Sequence, residues 1–136
     1  MKEQNKQIID EVMDEINSSL NDAKGIVSHQ RRLAFSLSLG TATLLEEYLT
    51  SKNVLKPGVR INHLWLKKSK ENFKELLKNK LTTPIENIEN LDSIVEKAGA
   101  IEKERDKLAY GKQIPEKDLT EKINIFLELK KEVENV

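Results

Sequence analysis

The sequence of 136 residues predicts an all-α fold, an up-and-down bundle of about five helices that forms one domain over residues 1–136. Only five glycines and three prolines interrupt the chain, and the long segments between them are rich in Lys, Glu, Leu and Ile, which favour helices. Within these segments, apolar residues recur at spacings of three and four, the period of an amphipathic helix.

The first two predicted helices lie before residue 52. The first runs from about Glu3 to Lys24, where Gly25 is a natural stop, and the second follows Ser28 as N-cap to about Ser51. The inward positions of the first are Ile9, Val12, Met13, Ile16, Leu20 and Ala23. Those of the second form two adjacent stripes, Leu33, Leu37, Leu44 and Tyr48 beside Phe35, Leu39, Ala42, Leu45 and Leu49. So wide an apolar face predicts a central helix.

Three more helices are predicted after the loop Lys56-Pro57-Gly58. The third runs from about Asn62 to Lys80. The fourth starts near Asn90 and ends at Gly111. The fifth follows Pro115, which suits the first turn of a helix.

Positive charge is concentrated in the middle of a chain that is neutral overall. Residues 51–80 carry nine Lys and Arg against two Asp and Glu, a net charge of about +7. The helical period places four lysines on one face, Lys67, Lys70, Lys74 and Lys78. Of these, Lys70 and Lys74 are the candidate phosphate ligands; the alternative is an ordinary solvated face, which Glu71 and Glu75 dilute.

Several classes of protein are disfavoured. Without cysteine there is neither a disulfide framework nor a thiolate metal site, and no run approaches the roughly 18 apolar residues of a membrane span, so we expect a cytoplasmic protein with no membrane contact. Two histidines, His29 and His63, are too few for a zinc site, so we expect no metal and no cofactor. Each histidine is either structural or, if a partner orients it, a general base.

Arg105 breaks the apolar stripe of the fourth predicted helix. Counting from Ala98 and Ile101 puts it at the next inward position, where a guanidinium needs carboxylates, carbonyls, phosphates or water. It either pairs with Glu102 or Glu104 or binds a ligand. Tyr110 follows five residues later, about 140° away on an ideal helix, so the two share a cleft only through a bend or a second subunit.

The order of helices and the segment Arg105-Asp106-Lys107-Leu108-Ala109-Tyr110-Gly111 resemble the HEPN superfamily, small helical domains often encoded beside minimal nucleotidyltransferases. The family motif is arginine, a polar residue, a few more residues and then histidine, commonly followed by glycine. Arg105, Asp106 and Gly111 match, and Tyr110 occupies the histidine position. The resemblance implies a homodimer with a cleft that cuts RNA without a metal ion, in which Arg105 and Tyr110 are the catalytic candidates.

The departure at Tyr110 changes what the resemblance implies. Tyrosine is a poor general base at neutral pH, although it donates hydrogen bonds and stacks on bases, so we expect ribonuclease activity to be weak or absent. The leading hypothesis is a dimeric module that uses Arg105, Asp106 and Tyr110 to bind a nucleotide, an RNA phosphate or a nucleotidyltransferase partner. One alternative is a prokaryotic HEPN ribonuclease toxin of a toxin–antitoxin pair, and another is a helical scaffold protein without a ligand site.

Overall fold

The structure is a computed structural model that describes residues 2–135, and within them it confirms the predicted all-helical bundle. Its α-helices are α1 (Glu3–Asn21), α2 (Gln30–Ser51), α3 (Lys70–Lys78), α4 (Leu91–Glu102), α5 (Arg105–Tyr110) and α6 (Glu116–Glu134). Short 3-10 helices cover Ile26–His29, His63–Lys67 and Ile85–Asn87. None of the helices in this range is long and apolar enough to cross a membrane.

Helix α2 is the central helix, as its two apolar stripes predict. It packs against α1, α4, α5 and α6, and every residue from Gly40 to Leu49 is buried. Gly40 permits the closest approach, because a β-carbon there would lie 2.8 Å from the Phe126 ring of α6 and 3.2 Å from Val12 of α1. The tight crossing at Gly40 therefore sets how α1 and α6 pack against α2.

Two apolar clusters hold the bundle together. The larger cluster takes side chains from α1, α2, α3, α4 and α6, and the largest of them that are fully buried include Tyr48, Phe73, Phe126, Leu44, Ile94 and Leu119. The smaller cluster consists of Ala34 of α2 with Leu108 and Ala109 of α5. It fixes α5, and with it the segment that contains Arg105 and Tyr110, on the side of α2.

Several predicted details of the first two helices are wrong. Helix α1 ends at Asn21 rather than Lys24, and Leu20 is 51% exposed instead of buried. Ser28 does not cap α2; its hydroxyl donates to the Gly25 carbonyl within a 3-10 turn, and α2 begins at Gln30. The stripe formed by Phe35 and Leu39 lies on the surface, because the neighbouring helices cover the other faces of α2.

The third and fourth predicted helices are each divided in two. Lys68 and Ser69 separate the 3-10 helix from α3, and Ser69 caps α3 by accepting from the backbone N–H of Asn72. The fourth is interrupted at Lys103 and Glu104, between α4 and α5. The predicted end at Gly111 is confirmed, and a β-carbon there would clash with the Lys107 carbonyl oxygen, so another residue would require a local shift.

Candidate functional site

The interruption between α4 and α5 decides where Arg105 lies. Because α5 starts at Arg105, the residue does not continue the buried stripe of α4 that ends at Ile101 and Glu102. Leu108 and Ala109 bury the other side of α5 against Ala34. This packing turns Arg105 toward the edge of the bundle, where 17% of its side-chain surface is exposed.

Gln30 ties the end of α5 to the start of α2. Its side-chain amide donates to the Leu108 carbonyl at 3.0 Å and to the Lys112 carbonyl at 3.0 Å, and its carbonyl accepts from the Ile114 N–H at 2.9 Å. Gln30 is only 6% exposed, so these three bonds satisfy backbone groups that have little access to water. The segment from Leu108 to Ile114 is thus held in one conformation next to α2.

Arg105 lies on the ring of Phe35. The guanidinium carbon is 4.9 Å from the ring centroid, within the range of a cation–π contact. Its Nη1 donates to Asp106 at 2.9 Å, and its Nε is buried without a hydrogen-bond partner among residues 2–135. The predicted alternative pairing with Glu102 or Glu104 is wrong. Glu102 instead accepts from Ser38 and lies beside His63, and Glu104 lies 3.6 Å from Lys122.

Tyr110 reaches the same ring from the other end of α5. The centroids of the Phe35 and Tyr110 rings are 6.2 Å apart and the ring planes meet at 76°, an edge-to-face pair. Tyr110 is 72% exposed and Phe35 is 42% exposed. Arg105 and Tyr110 therefore meet through Phe35 within a single chain, although they diverge on the helix itself. Phe35, Arg105 and Tyr110 together are called the Phe35 surface below.

Asp106 links this surface to the lysine-rich segment. Its carboxylate accepts from Lys67 at 2.8 Å as well as from Arg105. The Lys67 ammonium, followed by the Arg105 guanidinium, holds the pKa of Asp106 below its usual value. Asp106 remains mostly exposed, so its pair with Lys67 contributes little to stability and is open to competition by another anion.

The four lysines do not form one helical face, because Lys67 belongs to the 3-10 helix and α3 starts at Lys70. Lys70 lies 2.8 Å from Glu96, which raises the pKa of Lys70, and Lys74 lies 2.7 Å from Asp92, whose pKa it lowers. The carboxylates of α4 thus neutralise much of the field that the sequence predicts for this face. Ligand binding by Lys70 and Lys74 stays a prediction.

Glu102 organises a polar cluster that the sequence analysis overlooked. Its side chain is fully buried, accepts from the Ser38 hydroxyl at 2.6 Å and lies 3.0 Å from Nδ1 of His63. The His63 side chain is 34% exposed. The signal was present in the sequence, because counting from Val95 and Ala98 by seven and four puts Glu102 on the buried stripe.

His29, in contrast, is held at both ring nitrogens. Nδ1 lies 2.8 Å from Glu15 and Nε2 lies 2.7 Å from Asp22, and these hydrogen bonds raise the pKa of His29 although Arg32 lies beside it. With no free ring nitrogen, His29 joins the 3-10 helix Ile26–His29 to Glu15 of α1 and to Asp22, and it is poorly suited to act as a base. Among residues 2–135, no three acidic or histidine side chains converge in a way that could hold a metal ion.

Comparison of the chain with protein-family models, with curated proteins and with solved structures finds no match in any of the three. The HEPN resemblance thus rests on Arg105, Asp106, Gly111 and the order of helices.

Proposed function

We propose that this chain is an HEPN-like binding module that holds single-stranded RNA on the Phe35 surface and cleaves it weakly or not at all. The observation that supports the proposal is the position of Phe35 between Arg105 and the exposed ring of Tyr110. Unpaired bases stack on aromatic rings and on guanidinium planes, and double-helical segments offer no free base faces. An exposed aromatic pair beside an arginine suits an unpaired nucleotide.

Arg105 retains capacity to bind a phosphate. Of the five N–H donors of a guanidinium, the one that donates to Asp106 is the only one bonded within residues 2–135. Arg105 and Lys67 share the single negative charge of Asp106, so the three groups sum to one positive charge. A phosphate that approaches this end of the surface meets net attraction and a planar group able to donate two parallel hydrogen bonds.

In this proposal the working unit is a homodimer, as in the family that the sequence resembles. Leu39 lies one turn beyond Phe35 on α2 and is 48% exposed. Phe35 and Leu39 form an exposed apolar strip along α2, and a second copy of the chain would cover it at Leu39. Light scattering after size exclusion tests this assignment, since Leu39→Glu should shift a dimer to a monomer.

Fluorescence anisotropy with a labelled single-stranded RNA of mixed sequence tests the RNA proposal. Arg105→Ala and Tyr110→Ala should each weaken binding, because stacking contributes about 1–3 kcal/mol per base and the guanidinium contact adds to it. Lys131→Ala is the matched control for charge, since Lys131 is exposed in the last turn of α6. Equal losses in Arg105→Ala and Lys131→Ala would reduce the effect of Arg105 to general electrostatics, and unchanged binding by Tyr110→Ala would show that its ring does not stack on a base; either result would contradict the proposal.

A protein partner is the competing occupant of the same surface. If the wild-type chain binds no RNA but captures a nucleotidyltransferase encoded beside it, and Tyr110→Ala abolishes that capture, the surface is a protein interface. Tyrosine, phenylalanine and arginine are the residues expected at the centre of such an interface. That outcome would refute RNA binding, and the Phe35 surface would be the binding site of the protein partner instead.

Ribonuclease activity is the second candidate function, and the geometry of His63 favours it. The buried Glu102 carboxylate lies 3.0 Å from Nδ1 of His63 and orients the ring, while Nε2 has no hydrogen-bond partner among residues 2–135. In RNA cleavage this nitrogen would take the proton of a 2′-hydroxyl while that oxygen attacks the phosphorus. The bond to the 5′-oxygen would break, a 2′,3′-cyclic phosphate would form, and the leaving 5′-oxygen would take up a proton from water, so that the proton held by His63 returns to solvent afterwards.

Gel analysis of end-labelled RNA separates the two functions. Cleavage that is retained in Tyr110→Phe and lost in both His63→Ala and Arg105→Ala would establish the ribonuclease. Growth arrest on expression, lost in the same two variants, would add the toxin role. If the wild-type chain binds RNA without cleaving it, ribonuclease activity is excluded. Circular dichroism of His63→Ala is the necessary control, because the substitution leaves Glu102 short of a partner.

A further inference from the structure

A cavity of about 280 Å³ lies between the 3-10 helix His63–Lys67, the first turn of α3 and the middle of α4. Its floor is apolar and consists of Leu66, Phe73 and Val95, all of which are buried. Gly99 of α4 lines the cavity as well, and a β-carbon placed there would meet the Leu66 carbonyl oxygen at 3.9 Å, so the missing side chain leaves open space at this point.

The rim of this cavity is strongly basic. Its charged residues are Lys67, Lys68, Lys70, Lys103 and Glu96, a net charge of four minus one, or +3. Lys67 pairs with Asp106 and Lys70 with Glu96. Lys68 and Lys103 are exposed and form no ion pair with the rest of residues 2–135. Lys68 and Lys103 therefore supply positive charge that no carboxylate of the described chain neutralises, and this charge favours an anion in the concave space.

The N-terminus of α3 adds to the same field. Ser69, which lines the cavity, caps this helix, so the first free N–H groups of α3 and the positive end of its dipole lie beside the lysines.

We infer that this cavity binds a small phosphate ester, with the phosphate between Lys68 and Lys103 and an apolar group on the floor of Leu66 and Val95. The combination of an apolar floor and a cationic rim favours an ester over free phosphate. The volume lies just below the usual range of drug-sized pockets, so the ligand is a compact one. This site is separate from the Phe35 surface, although Lys67 lines the cavity and also binds Asp106, the partner of Arg105.

Isothermal titration calorimetry with phenyl phosphate, and in parallel with inorganic phosphate, tests the inference on the full chain. Phenyl phosphate should bind more tightly than inorganic phosphate, because only the ester covers the apolar floor. The double variant Lys68→Gln/Lys103→Gln should lose about tenfold or more in affinity, as expected when two charge-assisted hydrogen bonds are removed. Lys117→Gln/Lys131→Gln removes the same charge from exposed positions of α6 and should leave the affinity unchanged.

Two outcomes would overturn the inference. If both double variants lose affinity equally, the binding is diffuse surface electrostatics. If inorganic phosphate and phenyl phosphate bind equally well, the apolar floor has no part in recognition.

Gly99→Leu provides a test that keeps every lysine, because the added side chain should fill the cavity and abolish binding of the ester. Arg105→Ala separates the two proposals, since it should weaken RNA binding and leave the phosphate ester unaffected.

Discussion

The guanidinium carbon of Arg105 lies 4.9 Å from the centre of the Phe35 ring, and this contact explains how a charged residue is accommodated at the edge of the core. The ring covers one face of the guanidinium, Asp106 binds one of its nitrogens, and Nε remains without a partner in the described part of the chain. A buried, unbonded N–H costs about 1–3 kcal/mol. Arg105 is thus held at an expense to stability, which is typical of a residue kept for binding.

Substitution of Phe35 tests whether the aromatic ring, rather than its apolar bulk, creates the surface. We expect Phe35→Leu to lower the affinity for single-stranded RNA by the equivalent of about 1–3 kcal/mol, because a leucine supplies no face for a base or a guanidinium. Phe35→Tyr keeps the ring and should retain binding. Anisotropy titrations measure both variants. Equal affinities for the leucine and tyrosine variants would show that stacking plays no part.

Removal of the Gln30 amide should loosen the segment that contains Tyr110. Gln30→Ala leaves two carbonyls and the Ile114 N–H without their partners, and we expect a loss of about 1–3 kcal/mol for each group that water cannot reach. Hydrogen exchange of the Ile114 amide should quicken. Gln113→Ala is the control, since Gln113 is exposed nearby. Unchanged exchange in Gln30→Ala would mean that packing alone holds this segment.

Gly40→Ala tests the tight crossing of α2 with α1 and α6. The new methyl group would lie 2.8 Å from the Phe126 ring and 3.2 Å from Val12, so the neighbours must shift, and we expect a loss of about 1–3 kcal/mol. Gly99→Ala is the matched control. The β-carbon of the new alanine would meet no atom closer than 3.9 Å, so the variant should gain up to about 1 kcal/mol of unfolding free energy from better helix propensity. Urea denaturation measures both, and a stable Gly40→Ala would show that this crossing is loose.

His29 should make stability depend on pH. Hydrogen bonds to Glu15 and then Asp22 raise the pKa of His29 above its ordinary value of 6.5, so the folded chain binds this proton more tightly than the unfolded chain. The stabilisation is fully present below pH 6.5 and is lost as the pH rises through the raised pKa. Protonated His29 joins two carboxylates near α1, and the neutral ring can serve only one of them as a donor.

His29→Gln measures this contribution. The difference in unfolding free energy between the wild type and the variant should be larger at about pH 6 than at about pH 9, with urea denaturation as the measurement. Both values of pH lie well above the range in which Asp22 titrates, since its pKa is lowered from 3.8, chiefly by the Lys24 backbone N–H and then by His29. A difference that does not vary with pH would show that His29 contributes by packing alone.

The sequence by itself determined the all-helical class, the central position of α2 and the ends of the chain segments at Gly111 and Pro115. These features follow from local causes, the helical period of apolar residues and the backbone restrictions of glycine and proline. The same local counting singled out Arg105. It did so because a charge at an apolar position is visible without any knowledge of its neighbours.

Only the tertiary structure decided what surrounds these residues. The period assigned Phe35 and Leu39 to the core, but the helices around α2 do not cover the start of this stripe, so Phe35 and Leu39 remain exposed whereas Ala42, Leu45 and Leu49 of the same stripe are buried. The partner of Glu102 is His63, and the partners of Lys70 and Lys74 are Glu96 and Asp92, contacts between residues distant in the chain. Helical periodicity specifies which face a side chain occupies, whereas packing between helices specifies which groups that face meets.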